Sequence, residues 1–233
     1  MSFLSATDGV ELPPNPWFSW DYVMDHVDEL VAAGQEHLLI TVAAVALAMV
    51  VAVPLALLVR RYRRLRSPVL ALGGVLYTIP ALALISVLWP VFGLSPVTVT
   101  IALAVYALLV VLRNTLVGLE GVPDDVVDAA RGMGYGARRM LWQVELPLAL
   151  PAILAGVRLA VVSTVGLVTI GALVGHGGFG TLIVGGFVDN FYHAQIMTAT
   201  LLTVALAVVL DAMLLVLERV LTPWSRTRSP RSA

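Results

Sequence analysis

From Leu38 onward the chain alternates between long apolar runs and short breaks rich in polar residues, glycine or proline. Runs near Leu38–Val59, Val69–Phe92, Val97–Leu119, Leu148–Val174 and Ala194–Leu221 each reach the roughly 20 residues a helix needs to cross a bilayer core. They predict an all-α membrane protein with about five transmembrane helices. The second run holds Pro80 and Pro90, which remove helical hydrogen bonds, so it is expected to be kinked or broken. Upstream, Trp20, Val23, Met24, Val27, Leu30 and Val31 recur at helical spacing. They predict a short amphipathic helix lying at the membrane surface.

The connection from Glu120 to Pro147 has a different rhythm. Pro123, Asp124 and Asp125 open a helix, with the acids facing its positive N-terminal end. Val126, Val127, Ala130 and Met133 form its expected apolar face. Gly134 and Gly136 break it, and Ala137, Met140, Leu141 and Val144 then recur at i, i+3, i+4 and i+7. Leu146-Pro147 is expected to end this second helix and turn the chain into the fourth span. Two short amphipathic helices with a glycine joint suit a docking element, or equally a segment that lies on lipid.

Composition supports the membrane reading. Hydrophobic residues are 59% of the 233, charged residues only 12%, and mean hydropathy is +0.94. A soluble domain of this size could not bury that much apolar surface. The net charge of −1 and the lack of a basic stripe argue against nucleic acid as a partner. All 14 basic residues are arginine. Without lysine the chain has no Walker A phosphate loop and no catalytic lysine. Without cysteine it has no disulfide, thiol nucleophile or thiolate metal ligand.

Arginine placement predicts the orientation. Arg60, Arg61, Arg63, Arg64 and Arg66 follow the first span, Arg131, Arg138 and Arg139 separate the third from the fourth, and Arg226, Arg228 and Arg231 follow the fifth. Residues 1–36, the Gly93–Pro96 turn and the Gly175–His193 loop have none. The N-terminus is therefore expected outside and the C-terminus in the cytoplasm. Residues 1–36 carry acids and offer neither the positive start nor the apolar run of a secretory signal. The expected division is an external segment over 1–36, a transmembrane domain over 37–221 and a disordered cytoplasmic tail over 222–233.

The segment DAARGMGYGARRMLWQVELPLALP resembles the EAA loop of type I ABC importer permeases. That pattern is Glu-Ala-Ala, three residues, Gly, nine residues, Ile, one residue, Leu-Pro. Asp128, Ala129, Ala130, Gly134, Val144, Leu146 and Pro147 fall on it without a gap, with Asp for Glu and Val for Ile. The resemblance implies a coupling helix seated in a separate ATPase subunit, which agrees with the missing Walker lysine. YTIPALAL (Tyr77–Leu84), LRNTLVGLEGVP (Leu112–Pro123) and GHGGFGTLI (Gly175–Ile183) are similar to permeases that import glycine betaine, carnitine, choline or proline betaine. The likeness spans about residues 20–221. It implies a bacterial cytoplasmic-membrane subunit that is not itself an enzyme. Its expected partners are an ABC ATPase, a second permease chain (identical or paralogous), an extracytoplasmic solute-binding protein and the lipid bilayer.

Other candidate residues carry narrower expectations. Gly175, Gly177 and Gly180 spell G-x-G-x-x-G, but a membrane span rather than a strand precedes them, so no nucleotide site is expected. With Gly178 they are instead candidates for close backbone packing in an outer gate. His26, His37, His176 and His193 all fall on the expected outer side, His37 as an interfacial residue, without metal-ligand spacing. No metal or cofactor is expected. Arg158 and Asp211 lie at matching depths, so an intramembrane ion pair between the fourth and fifth spans is expected. Arg113, near the inner end of the third span, can snorkel to the interface. Tyr77, Thr78, Trp89, Ser163 and Thr164 are candidate path residues, the aromatic faces suiting a quaternary ammonium. A methionine or other small-solute importer is the nearest rival. A secondary transporter would show inverted repeats, and an intramembrane hydrolase would need a nucleophile and base at one depth.

Overall fold

The structure is a computed structural model that describes residues 15–224. Most of the expected tail, with Arg226, Arg228 and Arg231, lies outside the described residues, as do Asp8 and Glu11. Among the described residues ten α-helices follow one another: α1 (Trp20–Asp25), α2 (Val27–Arg61), α3 (Arg66–Thr78), α4 (Ala81–Phe92), α5 (Pro96–Glu120), α6 (Asp124–Gly132), α7 (Ala137–Met140), α8 (Leu146–Val168), α9 (Phe179–Val188) and α10 (His193–Leu221).

Among the described residues four helical runs are long and apolar enough to span a bilayer, those of α2, α5, α8 and α10. A fifth crossing exists if α3 and α4 count as one, but these are bent 94° at their junction. Ile79 there is extended (φ −66°, ψ 127°), the conformation that a following proline favours, and Pro80 caps the start of the next helix. Pro90 lies inside α4 without breaking it. The Tyr106 hydroxyl on α5 donates to the Ile79 carbonyl, which the break has freed from its helical partner.

The centre of the bundle is α5, packed between α2 and α8. Ala44, Ala48, Ala52 and Ala56 recur every fourth residue on α2 and are almost wholly buried. Small residues at that interval let two backbones approach, which replaces the hydrophobic driving force that lipid does not supply. Val111, Leu112, Leu116 and Leu119 of α5 pack in the same core with Ala149, Ile153, Val157 and Ala160 of α8. Along α10, by contrast, most of the apolar surface stays exposed, Val204, Val208 and Met213 included.

Three expectations change here. The surface helix is not separate: α1 ends at His26, and Val27 to Val31 are the first turns of a 35-residue α2. At about 1.5 Å per residue α2 is some 50 Å long, well beyond a hydrocarbon core of about 30 Å. Residues 36 and 37 thus belong to one continuous helix. His37 is buried rather than interfacial; its Nε2–H donates to the Val165 carbonyl on α8 at 2.9 Å. Its register decides this, since Leu30, His37, Ile40, Thr41 and Ala44 form the inward stripe of α2. Finally, the Gly175–His193 stretch is not all loop but contains α9, a ten-residue apolar helix packed on α10.

Candidate coupling surface and translocation face

The segment between α5 and α8 folds around its own small core. Val122, Val127, Ala130 and Met140 are buried together, with Tyr135 and Val144 against them. Met133, expected on that apolar face, is instead 68% exposed. The reason lies in how α6 ends. Tyr135 N–H donates to Ala130 O and Gly134 N–H to Arg131 O, while Gly134 adopts φ +83°. This is a Schellman cap, in which the residue at the left-handed position is nearly always glycine. The interval from Ala130 to Gly134 is the interval from the third-last helical residue to the capping glycine, and Tyr135 closes back onto Ala130. Met133 is thereby carried outward, beside Asp128 and Ala129, which are also exposed. Asp128 pairs with Arg131 at 3.1 Å in open solvent, a contact of little energetic weight.

Beyond the cap, α7 does not end at Leu146-Pro147. It widens into a π turn over Leu141–Glu145 and continues into α8, so that Ala137–Val174 is one helical run. Pro147 falls at the start of α8, where the wider turn absorbs the missing N–H. Val144, Leu146 and Pro147 therefore belong to a rod rather than to a corner. Glu145 in the π turn takes a two-pronged ion pair from Arg60 at the C-terminal end of α2, at 2.6 and 2.7 Å. Arg66 reaches Glu120 at 2.9 Å. Together these charges line a cavity of about 610 Å³ between α2, α5 and the α6 segment.

Further into the bundle, Arg158 on α8 grips Asp211 on α10 through Nε and Nη2, both at 3.0 Å. Glu218, one helical repeat further along α10, accepts from Nη1 at 3.2 Å. The arrangement is a triad with one cation and two carboxylates.

The opposite end of the rod is closed differently. Gly175 (φ +81°) ends a 3-10 turn over Thr169–Val174, and the chain doubles back beneath α2. The Glu36 carboxylate accepts from His176 Nδ1 at 2.8 Å and from Gly178 N–H at 3.1 Å. A Cβ on Gly177 would stand 2.3 Å from Ala172 N, and one on Gly180 2.4 Å from Thr169 Cα. Gly178 combines φ +54° with a 2.5 Å approach to His37 Cβ. Nearby, Asn15 caps the start of α10 by accepting from His193 N–H, and Trp17 stacks on His193 at 4.2 Å. Tyr22 packs edge-on against Tyr192; burial above all, with Glu29 and Tyr192 adding to it, pushes its phenol up to about 12. Among the described residues no group of three His, Cys, Asp or Glu is placed to hold a metal ion.

Of the candidate path residues, Tyr77, Ser163 and Thr164 share one narrow cleft between α3, α5 and α8. Thr164 is nearly buried there. Thr78 turns its hydroxyl to the Val75 carbonyl, and Trp89 sits apart on α4, half exposed. Below them a wider cleft of about 320 Å³ is lined by Gly74, Tyr77, Val110, Arg113, Asn114 and Leu159.

Residues 41–224 match the family described as the binding-protein-dependent transport system inner membrane component. The chain belongs to this permease family. It is 41% identical over 192 residues to the glycine betaine/carnitine/choline transport system permease protein OpuCD of Bacillus subtilis, covering 82% of this chain and 84% of that one. It is 38% identical to the choline transport system permease protein OpuBD of the same organism, over 89% of both chains. The osmoprotectant import permease protein OsmW of Salmonella typhimurium is 36% identical, over 87% of this chain and 96% of that one. In fold the chain resembles a subunit of the MetNI methionine ABC transporter solved in inward-facing conformations. There the TM-score is 0.77 at 22% identity, over 85% of this chain and 98% of that one.

Within the permease fold, several polar residues that position its segments gave no local signal in the sequence. Arg60 and Glu145 are 85 residues apart, and Glu36 and His176 are 140 apart. Glu218 was readable only as a residue seven beyond Asp211, on the same helical face.

Proposed function

We propose that the chain is the membrane subunit of an ATP-driven importer for quaternary ammonium solutes of the glycine betaine, carnitine and choline type. The observation that carries this reading is the 41% identity, along most of both chains, to a permease whose name specifies those three solutes. The fold likeness to MetNI, at 22% identity, bears on architecture alone.

In this reading the N-terminus is outside and the α6 segment faces the cytoplasm, as the arginine distribution requires. A separate ATPase seats Asp128, Ala129 and the exposed rim of the Gly134 cap, while Ala130 holds the helix to its own core. ATP-driven closure displaces the loop, and Val144, Leu146 and Pro147 carry that displacement into α8. A second permease chain completes the path along Tyr77, Thr78, Ser163 and Thr164, with Trp89 toward its outer part. An external binding protein delivers solute to an outer mouth that includes the Gly175–Gly180 loop. Arg158 and Asp211 act as a clamp between helices. The permease domain takes in 37–221, with 1–36 outside and the tail in the cytoplasm.

The test is uptake of labelled glycine betaine at high salt, with and without this gene, using labelled methionine as control. Selective loss of betaine uptake supports the solute class; selective loss of methionine uptake overturns it. The coupling role has a separate test in Gly134→Asp. That variant is expected to insert in the membrane and fail to transport, and normal transport would refute docking at this loop.

A further inference from the structure

Arg113 is a charge within a membrane-spanning helix, about two turns from the inner end of α5. Among the described residues it has no ion-pair partner, whereas Arg158, midway along α8, holds two carboxylates. A bare guanidinium facing hydrocarbon is costly, so Arg113 either snorkels to the interface or stands on a face that meets water or a polar ligand for part of the transport cycle.

The surroundings of Arg113 identify that face. Its cleft of about 320 Å³ lies between α3, α5 and α8, at the lower end of the range for small-molecule sites, about 300–1,000 Å³. Tyr77 and Val110 line both this cleft and the narrower one above it, which continues past Ser163 and Thr164. Tyr77 is 48% exposed and is held edge-on by Tyr106, at 5.7 Å between ring centres. Tyr106 is itself tied to the Ile79 carbonyl at the helix break. Asn114 turns its amide to Val110 O at 2.9 Å, leaving the side-chain oxygen as an acceptor. The cleft is therefore lined by a cation on α5 and an aromatic ring on α3.

We propose that Arg113 and Tyr77 form a transient solute site that reads the two charges of a zwitterion: Arg113 the carboxylate and Tyr77 the quaternary ammonium. Guanidinium pairs with carboxylate through two parallel hydrogen bonds, and a quaternary ammonium is attracted to an aromatic face. Glycine betaine and carnitine carry both groups, choline only the ammonium. Arg113 is thus a specificity residue within the permease, separate from whatever selection the binding protein makes. This inference rests on the solute class proposed above.

The test is uptake into proteoliposomes holding the full transporter with its binding protein, at saturating solute, for glycine betaine, carnitine and choline. Arg113→Gln is expected to lower the first two by about tenfold or more while choline stays within about twofold, the size expected when a hydrogen-bonded charge partner is lost. Arg113→Lys, which keeps the charge, is expected to recover much of the loss. The amount of assembled complex and its basal ATP hydrolysis verify folding. Equal losses for all three solutes, or betaine uptake at the wild-type rate in Arg113→Gln, overturn the inference and leave the importer reading standing. Wild-type uptake of choline alone also overturns it. Uptake of none of the three by the wild type removes the solute class, and the inference falls with it.

Discussion

The helical run from Ala137 to Val174 is fastened at both ends, and the two fastenings differ in kind. At the α6 end the holding contacts are made by side chains: Arg60 on Glu145, and a small core in which Met140 and Val144 pack with Val127 and Ala130. At the glycine-loop end the Glu36 carboxylate contributes, but the tightest contacts are made by backbone against backbone, with Gly177 and Gly180 pressed onto Ala172 and Thr169. Side chains can re-pair over a few ångströms by changing rotamer. Close backbone contacts have no such latitude, because packed interiors accommodate discrete arrangements rather than continuous deformation. The first end is built to shift as a unit, and the second to hold its shape.

The largest expected effect comes from adding one methyl group at the rigid end. Gly177→Ala should abolish recovery of folded permease from membranes, since its Cβ would meet backbone at 2.3 Å, and size-exclusion of the solubilised complex checks this. A well-folded Gly177→Ala protein would break the comparison.

Next in size is Arg158→Leu, which leaves Asp211 and Glu218 facing each other without a cation inside the membrane. Assembled complex should fall severalfold in yield, by an order-of-magnitude reading of an uncompensated charge pair. Adding Asp211→Leu should restore part of it and no more, because Glu218 stays unpaired. Absence of any rescue would mean that the triad is not the cause.

Arg60→Gln should leave the yield intact and reduce the stimulation of ATP hydrolysis by loaded binding protein by about fivefold or more, a typical coupling free energy. The exchanged pair Arg60→Glu with Glu145→Arg should regain much of that stimulation. Unchanged stimulation in Arg60→Gln would show that the ion pair plays no part in coupling.

The smallest effect is expected at the other kind of glycine. Gly134→Ala meets nothing within 4 Å and pays only for its φ of +83°, so it should cost about 1–2 kcal/mol and lower transport modestly. Thermal unfolding of the complex measures it. Comparable losses for Gly134→Ala and Gly177→Ala would erase the distinction between the two ends.

The sequence made the spans legible because a bilayer demands long apolar runs, and α5 and α10 begin and end within about one residue of expectation. The Schellman cap was legible as a spacing, without its geometry. α9 was hidden because Gly180, Gly185 and Gly186 lower helix propensity, while its packing on α10 supplies the stability. Leu146-Pro147 misled because a proline after a short amphipathic helix normally ends it, and the π turn that defeats this rule depends on tertiary context. The bare state of Arg113 and the third member at Glu218 depend on which helix faces which, and no local pattern encodes that.

The unbroken run from Ala137 to Val174 has a mechanical consequence. Thirty-eight residues of helix make a lever on the order of 50 Å long. A tilt of about 5° displaces one end relative to the other by roughly 4 Å, comparable to the rise of a helical turn. Because the glycine loop is welded to one of those ends and clasped by Glu36, the stroke cannot be dissipated in a slack joint and must be delivered to α2. A small rotation at one end of a stiff rod becomes a displacement of several ångströms at the other.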